Sequence, residues 1–217
     1  MTAPIRWPAE AVWEAVAPLL PGFTVEVLPS IDSTNTELMR RARAGQTEPT
    51  LLVAEQQTAG RGRLGRVWQS DVGASLMLSL GLPMAPKDWS GLSLAVGVSV
   101  AESLQPTLPP LEPGQPPRIG LKWPNDLWLS GDRKLGGILV ETASVAPTQP
   151  GEVAPRYVVI GIGINITPRT LGDGGGLPIA LPRCRNWCRA STPQRRWPVW
   201  PQRWWPPCRH LSTADLR

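Results

Sequence analysis

Between Gly60 and Arg66 glycine and arginine alternate almost strictly, as Gly60, Arg61, Gly62, Arg63, Gly65 and Arg66, with Leu64 as the exception. Glycine lets a backbone take φ > 0 and approach a ligand closely. Arginine presents a fixed fork of donors that matches carboxylate and phosphate oxygens. Such a loop is an anion cradle able to fold over a bound molecule. Its composition alone also fits an RGG-like nucleic-acid segment or a plain surface turn. Three further clusters add to it: Ser33-Thr34-Asn35, Lys122-Trp123-Pro124-Asn125-Asp126, and Arg133-Lys134-Leu135-Gly136-Gly137. Together they supply small polar hydrogen-bonders, flexible arginines, two lysines and a carboxylate. There is no Ser-His-Asp arrangement, no metal-ligand cluster and no Walker P-loop. The set suits electrostatic catalysis, in which anionic charge is neutralised and one group is held in line with another.

Elements that could position these residues follow from periodicity. Residues 9–20 read as an amphipathic helix with Val12, Trp13, Val16 and Leu20 on one face. Phe23 to Leu28 alternates like a strand. Thr34 followed by Glu37 matches a capping box, which predicts a helix from there to about Ala44, with Ser33, Thr34 and Asn35 at its mouth. Thr50 to Glu55 reads as a strand feeding the glycine-arginine loop, and Ala74 to Leu80 as a second strand antiparallel to it. Asp88 is placed to cap a mostly apolar, buried helix from Trp89 to Leu104. Residues 105–117 hold six prolines and read as a surface loop. Arg118 to Trp123 is a strand ending in K-W-P-N-D. Leu127 to Leu129 and Gly137 to Ala143 flank a turn at Ser130-Gly131-Asp132, as in a hairpin. Pro147 to Pro155 is another loop. Arg156 to Ile166 is a buried strand with two glycines, where a ligand or second chain segment approaches closely. Helices alternating with strands, some paired as hairpins, predict an α/β (α+β) fold: a mixed β-sheet covered by helices.

Composition narrows the function classes. The formal charge of +5 suggests nucleic-acid binding, but residues 168–217 carry nine arginines against two aspartates, a balance of +7. The remainder holds 13 basic and 15 acidic residues and is nearly neutral, which removes that support. Cys184, Cys188, Cys208 and His210 all lie in the same tail and offer too few partners for a closed zinc site. No apolar run approaches the roughly 20 residues of a membrane span, and the first residues lack the regions of a signal peptide. A soluble cytoplasmic protein is expected.

At this point five motifs stand in order: S-T-N, Q-T-A-G-R-G-R-x-G-R-x-W, K-W-P-N-D, R-K-L-x-G-I-L-x-E and G-I-G-I-N. Together they resemble the catalytic domain of biotin protein ligase, biotin–[acetyl-CoA-carboxylase] ligase, over roughly residues 23–167. The resemblance implies a class II synthetase-like fold. It implies formation of biotinyl-5′-AMP from biotin and ATP with Mg²⁺, and transfer of biotin to a lysine of a biotin carboxyl carrier protein. Carried over by position, Ser33, Thr34, Asn35 and Gln57 resemble residues lining the biotin pocket. Arg61, Gly62 and Arg63 belong to the loop that orders over biotin and the adenylate. Lys134 resembles the lysine at the biotin carboxylate and acyl-phosphate. The resemblance assigns catalytic roles to Arg63, Lys134, Lys122 and Asp126, and the nucleotide side to Arg66, Trp68, Lys122, Asn125, Asp126 and Asn165. Asp126 is a candidate magnesium contact. Trp68 and Trp123 also read as packing residues, and Asn165 as a strand-end cap. Lipoate or octanoate transfer on the same fold is the alternative, against which the R-G-R-x-G-R-x-W and K-W-P-N-D motifs argue.

Only about 22 residues precede the resemblance, so a monofunctional form without a DNA-binding helix-turn-helix is expected, with no membrane partner and room for a homodimer. The catalytic domain is expected over 1–167. Residues 168–217 crowd tryptophan, proline and arginine without helix or strand period. They read as disordered or frameshifted. Shifted by one frame, the codons of Trp197, Trp200, Trp204 and Trp205 encode Leu, Met or Val at i, i+3, i+7 and i+8, the stripe of an amphipathic helix. The gene read in that frame is expected to continue into the small barrel that such ligases carry. Without that layer the sheet would expose apolar surface, giving marginal stability and, as a non-enzymatic alternative, an inactive relative.

Overall fold

In the computed structural model the described residues are 7–69, 71–86, 88–105, 115, 118–129, 133–144 and 155–166. The atypical tail and the loops at 106–114, 130–132 and 145–154 lie outside them, as do the expectations that rest on those segments. Three helices, α1 (Ala9–Val16), α2 (Thr34–Arg43) and α3 (Leu92–Leu104), pack against seven strands. These are β1 (Thr24–Leu28), β2 (Thr50–Ala54), β3 (Ser75–Met84), β4 (Ile119–Lys122), β5 (Asp126–Leu129), β6 (Arg133–Ser144) and β7 (Arg156–Asn165). They form one sheet in the order β1-β2-β3-β7-β6-β5-β4. β1 and β2 are parallel, and the other neighbours are antiparallel, as in a mixed sheet.

β7 lies at the centre because its sequence, Arg-Tyr-Val-Val-Ile-Gly-Ile-Gly-Ile-Asn, is apolar on both sides of the pleat. It pairs along its whole length with β3, from Ser75↔Asn165 to Met84↔Arg156, and with β6, from Gly136↔Ile164 to Ser144↔Arg156. Period 2 then divides its side chains. Val158, Ile160, Ile162 and Ile164 join Val96, Val100 and Leu104 of α3 in one core. Tyr157 and Val159 join Leu38, Met39 and Ala42 of α2 in the other. Fully burying a side chain such as Leu38 contributes about 2 kcal/mol. Gly161 and Gly163 fall on the α2 face, where they leave a trough.

Several boundaries differ from the sequence expectation. α1 ends at Val16, two residues before Pro18, whose ring cannot continue a helix. None of its residues is buried, and Trp13 donates its indole N–H to the Phe23 carbonyl at 3.0 Å. The cap of α2 is Ser33, not Thr34: the Ser33 hydroxyl accepts from the Thr36 amide at 3.4 Å. Glu37 therefore does not close a capping box; its carboxylate pairs with Arg40 and, at 2.9 Å, with Arg41. α3 begins at Leu92 behind Gly91 in the left-handed region, without a side-chain cap. Asp88 instead closes a turn on itself, accepting from the Ser90 amide at 2.7 Å and hydroxyl at 2.6 Å. β3 runs to Met84, beyond the alternating stretch, because both β2 and β7 flank it.

Candidate active site

The N-terminus of α2 sits against the middle of the sheet. Asp32 accepts from the Ser33 amide at 2.7 Å, and Ser33, Thr34 and Asn35 are all buried. Arg41, at the other end of the helix, forks onto Glu26 of β1 at 2.6 and 2.9 Å and fixes the helix to the sheet edge. The hydrogen bonds to Glu26, and secondarily to Glu37, raise the Arg41 pKa and hold its charge.

From this anchored turn a buried polar chain crosses to the sheet. The Thr34 amide donates to Gln57 Oε1 at 2.7 Å, and the Thr34 hydroxyl lies 3.0 Å from the same atom. Ser79 of β3 places its hydroxyl oxygen 2.7 Å from Thr34 Oγ1 and 2.6 Å from Asn35 Oδ1. Asn35 Nδ2 donates to the Leu139 carbonyl at 3.2 Å and to Glu141 Oε2 at 3.0 Å. Both amide orientations are therefore determined: Gln57 must accept from a backbone N–H, and Asn35 must donate to two acceptors. Two hydroxyl hydrogens then serve three contacts. Ser79 is placed to donate to Thr34 Oγ1 or to Asn35 Oδ1, and Thr34 to Gln57 Oε1, so one of the three contacts is left without a proton. The cluster is short of a donor, and Thr34, which lines the cleft, presents an acceptor to whatever enters.

Glycine makes this approach sterically available. A Cβ built on Gly161 would collide with Asn35 Oδ1 and lie 2.8 Å from its Cγ. A Cβ on Gly163 would lie 2.5 Å from Trp68 Cζ2. The two strand glycines thus admit one polar and one aromatic side chain onto the sheet's backbone.

Trp68 ends the glycine-arginine loop, which folds back on itself. The Trp68 amide donates to the Gly60 carbonyl at 2.9 Å, and the Gly62 amide to the Arg66 carbonyl at 2.7 Å. A single 3₁₀ turn, Arg63–Gly65, forms the tip, with Leu64 at φ 57° and 89 % exposed. That φ is costly for a branched side chain. The loop's cations reach the sheet: Arg61 pairs with Glu141 at 2.9 Å, and Arg63 Nη1 donates to Asn125 Oδ1 at 3.2 Å.

The opposite wall comes from the turn between β4 and β5, which contains a cis Trp123–Pro124 peptide, and from the start of β6. Lys134 Nζ lies 2.8 Å from Asp126 Oδ2 and 6.0 Å from the centre of the Trp68 ring. Lys122 Nζ lies 3.9 Å above the Trp128 ring. Asn125 Nδ2 donates to the Ile138 carbonyl at 2.8 Å and locks the turn onto β6.

These parts enclose a cleft of about 470 Å³. Every predicted site residue lines it except Asn165. Asn165, at the end of β7, donates its amide to the Lys134 carbonyl at 3.3 Å and lies 3.5 Å from the Ser75 hydroxyl. Sequence reasoning missed two residues that organise the cleft. Ser79 stands out as a polar residue in an apolar strand, and its complete burial is the signal that could have found it. Glu141 closes the R-K-L-x-G-I-L-x-E motif, and period 2 along β6 places it on the face of Gly137. Among the described residues no group of three or more His, Cys, Asp or Glu side chains could hold a metal, and no helix is long and apolar enough to cross a membrane.

Comparison with known proteins agrees with this geometry. The chain is 40 % identical over 149 residues to the biotin–[acetyl-CoA-carboxylase] ligase of Mycobacterium tuberculosis, covering 66 % of this chain and 49 % of that protein. It is 43 % identical over 156 residues to the bifunctional ligase/repressor BirA of Escherichia coli, covering 71 % of this chain and 44 % of that one. The chain thus spans about half the length of these curated relatives. Among solved structures, it is similar to a Leishmania major biotin protein ligase in complex with biotinyl-5-AMP (TM-score 0.54, 26 % identity, 75 % of this chain and 65 % of that one). It is also similar to the Helicobacter pylori biotin acetyl coenzyme A carboxylase synthetase with bound biotinylated ATP (TM-score 0.51, 31 % identity, 70 % and 63 %). The model of the biotin/lipoate A/B protein ligase family matches residues 27–165, more than half of the sequence and all of the sheet but the first residues of β1, and the chain belongs to that family.

Proposed function

We propose that the chain activates biotin with ATP to biotinyl-5′-AMP and passes the biotinyl group to a lysine of a biotin carboxyl carrier protein. The observation that carries this reading is the proton-short cluster at Thr34, Asn35, Gln57 and Ser79. An ureido ring brings N–H donors, which such a cluster lacks. The dithiolane of lipoate brings none, so the same cluster argues against the lipoate branch of the family. The relatives named as biotin ligases, and the neighbour crystallised with biotinyl-5-AMP, support the same choice.

The other end of the cleft suits the chemistry. In the first step a biotin carboxylate oxygen attacks the α-phosphorus of ATP; a P–O bond forms and the bond to pyrophosphate breaks. Anions converge, and Arg63 and Lys134 offset their repulsion, with Arg61 on the biotin side. Asp126 holds Lys134 toward the cleft. Asn125 and Lys122 serve the phosphates, and Arg66 the nucleotide side. Trp68, laid on Gly137 and Gly163, is the floor between the two ends. In the second step the carrier lysine amine attacks the acyl carbon, AMP leaves with the bonding electrons, and the amine loses a proton. Closure of the glycine-arginine loop keeps water from the mixed anhydride.

The donor set does not fit a metal caged by the protein. Asp126 is the acidic residue of the cleft lining, and Lys134 already pairs with it. Mg²⁺ therefore belongs to the nucleotide substrate, arriving on its phosphates as such ions commonly do.

The test is to incubate the chain with ATP, Mg²⁺, biotin and a carrier domain. Biotin-dependent pyrophosphate release and a biotinylated carrier are expected. Neither product would reject the reading, and transfer of lipoate or octanoate instead would move the chain to the other branch.

A further inference from the structure

Glu141 belongs to no part of the chemistry described above, yet it holds two parts of the cleft at once. Its Oε2 accepts from Asn35 Nδ2 at 3.0 Å and from Arg61 Nη1 at 3.4 Å, and its Oε1 accepts from Arg61 Nη2 at 2.9 Å. Its side chain is 22 % exposed, against 48 % for Arg61. A charge this well covered is retained only with its hydrogen bonds made. Asn35 is held from three sides, by Ser79, the Leu139 carbonyl and Glu141. Glu141 is the member of that set which is both charged and shared with the loop.

We propose that Glu141 is a positioning residue: one carboxylate orients the buried Asn35 amide and seats the Arg61 end of the glycine-arginine loop. The neutral end of the cleft and the glycine-arginine loop are then set by the same group. This proposal rests on the biotin reading for its kinetic consequences and not for its structural ones. Loss of the carboxylate leaves Asn35 Nδ2 with the Leu139 carbonyl alone and lets the Arg61 end of the loop leave the sheet face, while Lys134, Asp126 and Asn125 keep their partners. The effect therefore falls on biotin capture and not on the chemical step.

Glu141→Gln separates the two contacts. The amide matches the carboxylate in size but accepts at one oxygen only. When it serves Asn35, its NH₂ faces the Arg61 guanidinium. The first measurement uses the ligand-free chain. Amide hydrogen exchange over residues 60–68 is expected to speed up about fivefold or more in Glu141→Gln and further in Glu141→Ala, with exchange in β7 unchanged. The second measures biotin-dependent pyrophosphate release. The KM for biotin is expected to rise about tenfold in Glu141→Gln, consistent with losing a hydrogen bond to a charged group, with kcat within about twofold. In an Arg61→Ala background the same substitution is expected to have a smaller effect, since the two residues act together. Thr142→Ser, the next position on β6 facing the other side of the sheet, controls for disturbance of the strand and is expected to leave both readouts unchanged. Exchange over 60–68 equal to that of the unsubstituted chain would overturn the proposal. So would a fall in kcat with KM unchanged. A parent chain inert toward biotin and ATP would reject the functional reading, and the exchange measurement alone would then decide the role of Glu141.

Discussion

The two ends of the cleft are built on opposite principles. At the α2 end the groups are neutral and buried, and each orientation is determined by a neighbour: Thr34, Asn35 and Ser79 are 3 %, 3 % and 0 % exposed. At the loop end the groups are charged and half in solvent, with Arg61 48 % and Lys134 40 % exposed, each resting on a protein acceptor that a ligand anion can replace. The difference separates recognition from chemistry. A neutral ring is recognised by a fixed pattern of donors and acceptors, which tolerates no misplacement inside a protein. A developing phosphate charge is met by long cationic side chains that keep their charge in water and move. Stability and activity should therefore be coupled at one end and separable at the other.

The sharpest break between the ends is expected from Lys134→Ala. The rate of adenylate formation should fall by about 10²–10³-fold, the range for removing one electrostatic group, while thermal stability stays nearly unchanged, because half-exposed pairs contribute at most about 1 kcal/mol. Single-turnover kinetics and a melting curve on the same sample measure both. Gly161→Ala should do the reverse. Its methyl overlaps Asn35, so the amide must turn away from Ser79, Leu139 and Glu141. The biotin KM should rise about tenfold or more, with a loss of about 1–3 kcal/mol for each buried polar group left unpaired. A Gly161→Ala chain with the parent melting temperature would break the comparison. Ser79→Ala is milder: Asn35 Oδ1 loses its one donor, and denaturant unfolding should register about 1–3 kcal/mol. An unchanged biotin affinity in that variant would remove the proton-short cluster as the basis of recognition.

The smallest effect comes from behind the neutral end. Tyr157 packs in the α2 core, its hydroxyl 3.3 Å from the Glu48 carbonyl. Burial pushes its phenol up to about 12 from the usual 10.0. The folded chain then binds this proton more tightly than the unfolded chain does. The associated stability is fully present below pH 10 and is lost as pH rises toward 12. Tyr157→Phe should abolish that alkaline slope without moving the cations of the loop end. Melting temperatures of both chains across this range read the difference.

Most of the architecture was legible because it follows from local pattern. Alternation in β1 and β3 and the apolar runs of β2 and β7 specified strands, and the five motifs brought together residues that the tertiary fold places around one cleft. What failed was local in another sense. Whether Ser33 or Thr34 caps α2 depends on which hydroxyl Ser79 and Gln57 already engage, and Thr34 is taken by both. Asp88 could have capped a helix, but it has the Ser90 amide within reach and closes a shorter turn. Propensity ranks such choices by fractions of a kcal/mol, and tertiary partners outweigh them.

By itself the sequence determined the chemical kit: glycines where a backbone must be approached, arginines and lysines where anions meet, and small polar residues at a helix mouth. Period and residue type carry that information without reference to distant parts of the chain. The tertiary structure alone decided how the kit is held. It brought Glu141 within reach of both Asn35 and Arg61, across sequence separations of 106 and 80 residues. It also made Ser79 a member of the site. Contacts of that separation depend on strand order and register, which no local pattern encodes, because one residue of register turns every side chain of a strand to the opposite face.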